Sequence, residues 1–439
     1  ICWHDQTRAI FANAEIGWKS MIYLTATGRN DWDSRLAFSD YKSFFYPSIG
    51  LSAILTSMFN APDWLTYLKV RGSYTEVGNS YGRFMTTVTY PYDEQTQSWT
   101  STSSYPNTKL KPERTKSWEV GLDARILNDI SLNLTYYRSN TYNQTFYADL
   151  SLSSGYSNIP IQSGNIMNEG LEMSLGYNKQ WKDFSFNTNY TLTWNKNRVK
   201  RLADGVYNYA TGQPIQMPEL SPLTYGHTDA RLILRVGGSM GDVYGQRLLK
   251  RDLNGYILNE EGVGLAMENK ETYLGSILPK MNMGWSLGFG YKGVNLGMTF
   301  TGRFGGIVIS ETQSVLDAAG VSKVSADVRD AGGVQINQSK VSAQTYYQTI
   351  QGTAAYYTYS ATNVRLGELS LSYTLPKKWF DNKVGMTVGL VGKNLWMIYC
   401  KAPFDPELTT SAASNFYQGF DAYMLPSTRN FGFNVKFQF

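Results

Sequence analysis

The sequence predicts an all-β fold, a transmembrane antiparallel β-barrel to which it contributes about 15 strands. Three observations point there. Apolar and polar residues alternate over segments of about ten residues. Tight turns and long polar loops take turns between those segments, and the chain is rich in tyrosine yet holds no apolar run long enough for a membrane helix.

The alternation is plainest in Phe184 to Trp194. One side carries Phe184, Phe186, Thr188, Tyr190, Leu192 and Trp194, the other Ser185, Asn187, Asn189, Thr191 and Thr193. Successive side chains on a strand point to opposite faces, so a period of two sorts them by polarity. Ile130, Leu132, Leu134 and Tyr136 repeat the pattern, as do Val294, Leu296, Met298 and Phe300, then Leu369, Leu371, Tyr373 and Leu375. The end is cleanest, with Phe431, Phe433, Val435, Phe437 and Phe439 against Gly432, Asn434, Lys436 and Gln438. Strands are expected near 7–18, 20–29, 44–55, 65–77, 116–127, 130–144, 165–179, 183–196, 229–236, 241–250, 279–291, 294–304, 363–375, 384–396 and 429–439. In a barrel the apolar side would meet lipid and the small or polar side the lumen.

Short turns at Lys19-Ser20, Asn128-Asp129, Lys182-Asp183, Gly238-Ser239 and Lys292-Gly293 alternate with long loops near 80–115, 197–228, 305–362 and 397–428. Outer-membrane barrels have short periplasmic turns and long external loops. The expected location is therefore the Gram-negative outer membrane, as a multi-pass barrel with Phe439 on the periplasmic side. An odd number of strands cannot close a bacterial barrel, and an open edge in lipid leaves backbone groups unsatisfied. The whole of 1–439 is thus expected to be the C-terminal part of a larger barrel. No leader pattern follows Ile1, so an export signal is expected upstream.

With 439 residues, 42% hydrophobic and 17% charged, the chain is too apolar to be disordered. Its mean hydropathy of -0.33 excludes a helical bundle in lipid but not a barrel. The net charge of +5 is dispersed, which leaves nucleic acid unsupported as a partner. Cys2 and Cys400 match no metal spacing, and His4 and His227 are the only histidines. No H-E-x-x-H or G-x-S-x-G pattern exists, so an enzyme is not expected, and neither a metal nor a cofactor is indicated. Gly288, Gly290 and Gly293 spell G-x-G-x-x-G along a strand and its turn, the wrong context for a nucleotide cradle. Asp252-Leu253-Asn254-Gly255 begins like a calcium loop, but Glu260 and Glu261 do not fall at the required spacing, and a turn is expected. A soluble all-β binding or structural protein would alternate in the same way, with one face buried instead of meeting lipid.

Several local sequences together are similar to the SusC/RagA family of TonB-dependent transporters. They are Tyr23 to Trp32 (YLTATGRNDW), Phe45-Tyr46-Pro47-Ser48, Leu68 to Tyr74, Leu110 to Glu113, Val236 to Gly241, Gly392 to Trp396, Asp405-Pro406-Glu407 and Pro426 to Phe439, in family order. The resemblance covers essentially the whole chain. It implies the C-terminal portion of a barrel of about 22 strands, with the plug, TonB box and N-terminal domain outside this chain. It also implies TonB-dependent import of oligosaccharides or oligopeptides, with a SusD/RagB-like surface lipoprotein as lid and TonB, ExbB and ExbD as energy source.

Long loops on a rigid scaffold commonly carry binding. Trp99, Tyr105, Tyr356, Tyr357, Tyr359 and Phe404 are candidates to stack on sugars or pack on peptide side chains. Asp405 and Glu407 are candidates to hold a cationic or hydroxylated ligand, although Asp-Pro also opens turns. Phe439 ends an alternating strand and resembles the signal read by the barrel-assembly machinery.

Overall fold

The computed structural model describes residues 4–162, 164–202, 219–260, 264–337, 339–381, 383–408, 410–411 and 415–439. Thirteen long strands follow one another antiparallel in chain order. They are β1 (Thr7–Trp18), β2 (Ile22–Asp33), β3 (Phe44–Ile54), β4 (Leu65–Asn79), β5 (Glu113–Ile126), β6 (Ile130–Tyr142), β7 (Asn165–Trp181), β8 (Phe184–Arg201), β9 (Met281–Tyr291), β10 (Val294–Phe304), β11 (Asn363–Thr374), β12 (Gly385–Cys400) and β13 (Asn430–Gln438). The chain divides into two compact units, one of 1–178, 191–222 and 234–239, the other of 179–190, 223–233 and 240–439.

In the first unit, register turns local alternation into continuous rows. Trp18, Ile22, Ala53, Val70, Leu122, Leu134 and Met173 are successive partners from β1 to β7. The adjacent row is Gly17, Tyr23, Ser52, Arg71, Gly121, Thr135 and Glu172. A slip of one residue in any pairing would interleave the two rows. Glycine leaves room on the polar side: a Cβ on Gly121 would lie 2.7 Å from Arg71 Nε, and Arg71 donates to Thr135 Oγ1 at 2.6 Å.

The second unit repeats the sorting. Phe289, Leu296, Leu371, Leu390 and Phe433 are partners across β9 to β13, and beside them run Gly290, Asn295, Ser372, Gly389 and Asn434. The G-x-G-x-x-G glycines find their physical role here. A Cβ on Gly288 would sit 2.5 Å from the Asn187 amide, while Gly293 takes φ 89° in the turn. Leu390 is 65% and Phe433 80% exposed, so this apolar face has nothing of the chain against it. Monomers rarely leave such a contiguous apolar surface to water.

Two of the expected wall strands lie elsewhere, which reduces about 15 to 13. Arg231–Arg235 and Asp242–Leu249 pair with each other, and the latter with Met267–Ser276, a strand that the pattern reading missed. Its charged run Glu268 to Glu271 and its register shifts conceal any alternation. The Gly238-Ser239 turn likewise leaves the group of short turns. Val199 exchanges backbone hydrogen bonds of 2.8 Å with Gly237 and Gly238, which puts that turn at the far end of β8 from Lys182. The loop 305–362 is also more ordered than its composition suggests, holding helices at Glu311–Ala318, Lys323–Asp330 and Ala343–Ile350.

Candidate functional site

The long connections carry the candidate residues, and in both units they pack beyond one end of the strands. In the first unit, Leu36, Phe44, Tyr81 and Leu110 form a buried cluster under the connections near 34–44 and 80–112. Outside it stands a small hairpin, Tyr92–Asp93 paired with Ser98–Trp99. Its polar turn is held by Asp93, whose carboxylate accepts from the Gln95 N–H at 2.8 Å. Tyr92 and Trp99 are directly opposite and their rings lie 5.1 Å apart, with Trp99 71% exposed. Tyr105 meets Tyr156 edge-on at 5.1 Å, beside the hairpin of Thr145–Asp149 and Asn158–Gln162. Thus Trp99 and Tyr105 each lie in an aromatic pair. Sequence reading missed the partners Tyr92 and Tyr156, although Tyr92 and Trp99 flank a run of polar turn residues.

In the second unit the connections build a core of their own. Tyr225, Leu232, Val243, Ile277, Ile309 and Phe420 are buried together, and Tyr225 donates to the Phe416 carbonyl at 2.7 Å. Burying a large apolar side chain gives about 1.5–3 kcal/mol, so six such residues are enough to hold distant segments together. Backbone groups are paired across it: the Asp229 carboxylate accepts from the N–H groups of Gln246, Arg247 and Ala354 at 3.0, 2.7 and 2.6 Å. Ser310 caps helix Glu311–Ala318 by accepting from Gln313 N–H at 2.9 Å and donates to Asp421 at 2.6 Å.

A second cluster takes in Leu249, Ile336, Tyr347, Ile350 and Tyr357, with Tyr356 packed on it. Tyr357 is 3% exposed, and burial raises its phenol well above the ordinary value. Tyr356 accepts the Leu249 N–H at 3.1 Å through its hydroxyl. Tyr359 meets Phe404 edge-on at 5.6 Å, and burial pushes its phenol up to about 12. All three tyrosines therefore spend ring surface on loop packing, whereas Trp99 keeps most of its ring in solvent.

Asp405 and Glu407 are brought together by a residue that no motif had singled out. Arg365, at the start of β11, makes a forked contact with Asp405 at 2.8 and 3.0 Å and reaches Glu407 at 3.3 Å. Asn363 donates to Glu407 at 3.1 Å and accepts from Arg365 at 3.2 and 3.1 Å. Burial alone would raise the Asp405 carboxyl, but the Arg365 hydrogen bonds and charge and the Glu407 N–H hold it below the usual carboxylate range. The arrangement pins the connection 401–408 onto the strand ends. The Asp252 carboxylate, for its part, accepts from the N–H groups of Asn254 and Tyr256, both at 2.9 Å, which is turn geometry.

A family model described as TonB dependent receptor-like, beta-barrel, matches residues 3–395. TonB-dependent receptor P3 of Formosa agariphila is 25% identical over 98% of this chain and 45% of its own length. TonB-dependent receptor SusC of Bacteroides thetaiotaomicron is 27% identical over 154 residues, covering 34% of this chain and 14% of its own. The chain spans about half the length of the curated relatives that it matches end to end. Among solved structures, the RagAB peptide transporter superimposes with a TM-score of 0.74 at 20% identity, covering 99% of this chain and 47% of that one. The open-open state of the RagAB peptide importer gives 0.73 at 20%, covering 99% and 46%. At such identity it is the fold that is shared.

Proposed function

The chain belongs to the TonB-dependent receptor-like β-barrel family of the outer membrane, and from that premise we propose that it is the C-terminal barrel portion of a nutrient importer. Its substrate would be an oligosaccharide or oligopeptide. A SusD/RagB-like surface lipoprotein would close over the long connections, and TonB with ExbB and ExbD would act through an N-terminal half of the same barrel that supplies the plug.

The observation that carries this reading is the pair of adjacent rows on the strands. An apolar row from Phe289 to Phe433 suits lipid, and its neighbour from Gly290 to Asn434 suits a hydrated lumen. Ligand would be met first by the long connections. In the first unit Trp99 with Tyr92 would offer a ring face and Tyr105 a second; in the second unit Phe404 with Tyr359 would offer an edge, with Asp405 and Glu407 held in place by Arg365. Tyr356 and Tyr357 would act from beneath by holding the connection rigid. Such a cycle breaks no bond in the substrate; binding energy fixes the ligand and TonB supplies the work of release.

The test is purification of the native protein from detergent-solubilised outer membrane, with mass spectrometry of all that accompanies it. Recovery with a lipoprotein and a glycan or peptide supports the importer and names its substrate. A species that is soluble without detergent, alone and ligand-free, overturns it.

A further inference from the structure

At one end of the second unit's strands, basic and aromatic residues form a rim. Trp181-Lys182 precedes β8, Tyr291-Lys292 joins β9 to β10, and Lys377-Lys378-Trp379 follows β11. The turns adjoin: Lys292 N–H donates to the Asp183 carbonyl at 3.2 Å, and Thr374 N–H to that of Gly293 at 2.8 Å. All of these lysines are exposed, as are Trp181, Tyr291 and Trp379. With Lys383, the described turns carry five lysines against two aspartates, Asp183 and Asp381.

Two features mark the rim as more than a solvated edge. First, Lys182 and Lys292 occupy left-handed backbone positions, φ 46° and 45°, where asparagine or glycine is the ordinary choice. Lys19 repeats this in the first unit, φ 49°, with its ammonium 4.9 Å from the Trp18 ring. Lysine there costs backbone energy, and the 4.0 Å approach of Lys292 to Asp183 on the adjoining turn, both side chains exposed, returns little of it, which points to the charge itself. Second, the lysines stand where the apolar face ends. Tyr291, Val294, Tyr373, Val388 and Val435 are partners in one apolar row, and Lys292 follows immediately, its ammonium 5.4 Å from the Tyr291 ring.

We propose that this rim binds the headgroups of anionic phospholipids in the membrane leaflet at the short-turn end of the barrel. The apolar row covers the acyl chains, Trp181, Tyr291 and Trp379 sit at the headgroup boundary, and the lysines reach the phosphates. Phosphodiester charge complements a row of five ammonium groups that the two aspartates of the described turns offset in part, and zwitterionic headgroups complement it less well. The proposal rests on the membrane reading above and adds lipid selectivity to it.

The experiment places the native protein in bilayer nanodiscs of phosphatidylethanolamine, alone or with phosphatidylglycerol, and counts retained lipids by native mass spectrometry. The wild type should retain phosphatidylglycerol preferentially, less so as salt rises. A Lys182→Gln/Lys292→Gln/Lys377→Gln/Lys378→Gln variant should lose that preference on the order of tenfold at low ionic strength, and the corresponding arginine variant should keep it. Heat-modifiable mobility on gels, unchanged in all three, shows that each barrel is folded. A wild type without preference, or a glutamine variant equal to it, overturns the headgroup site and leaves the barrel reading intact. A protein that enters neither bilayer removes both.

Discussion

Consider Arg365→Met, which leaves side-chain length and removes the charge. The Arg365 and Asp405 side chains are 11% and 7% exposed, and their closest approach is 2.8 Å. Opposite charges at that distance attract by roughly 6 kcal/mol at an effective dielectric of about 20. Desolvation takes back several kcal/mol of this, so the intact pair contributes little net stability. Breaking it is another matter, because Asp405 is left buried without its cation, at a cost of about 3–5 kcal/mol. The penalty falls on the connection 401–408, which can lift away while the ladder of β12 stays formed. Glu407 N–H donates to Asp405 Oδ1 at 3.1 Å and Leu408 N–H to the Asp405 carbonyl at 3.3 Å, so both amides report on it. Hydrogen exchange at these two should accelerate by about two to four orders of magnitude, with the amides of 386–392 unchanged. Arg365→Met/Asp405→Leu should recover most of the protection, whereas Arg365→Lys should recover little, since an ammonium cannot fork. Equal exchange in wild type and Arg365→Met, or a double variant as labile as the single one, would refute the reasoning. The pH dependence has a definite sign. Asp405 is held below the usual carboxylate range when folded, so its contribution is complete above about pH 4 and is lost as pH falls through the lowered value. The connection should loosen in acid and show no such transition near neutrality.

Three other outcomes are expected. A Cβ on Gly170 would lie 2.5 Å from the backbone carbonyl of Trp194, so Gly170→Ala should destabilise the first unit by about 1–3 kcal/mol, read as a lower folded fraction in denaturant titration. Trp99→Ala should weaken ligand binding by about fivefold with unchanged insertion; calorimetry with the copurified ligand checks it, and undiminished affinity would exclude the hairpin from the site. Phe439 is 96% exposed, so its deletion removes no packing from the fold. Outer-membrane insertion should nonetheless fall if Phe439 serves assembly, and pulse-chase fractionation with unaltered yield would withdraw that role.

Legibility followed the range of the interaction. The strands from Phe184 to the C-terminus that keep strict alternation were placed within a few residues of their ends, because that pattern is written in adjacent positions. Met267–Ser276 escaped since its charges hide the period, and Arg231–Arg235 was misplaced because a strand in a packed connection alternates much as a strand in a wall does. Trp99 and Tyr105 were singled out as candidates by composition. Arg365 was not, being one arginine among many until Asp405 comes to meet it.

By itself the sequence determined the two-faced strand, since side-chain alternation is a property of the extended backbone and needs no partner. It also determined the tight turns, which depend on two residues and their φ angles. Only the tertiary structure decided which strands join the long series and what the connections do. Asp229 meets the Ala354 N–H 125 residues away, and Arg365 meets Asp405 across 40. Contacts at such separations are chosen by burial and charge pairing among many competing segments, and no local pattern records the choice.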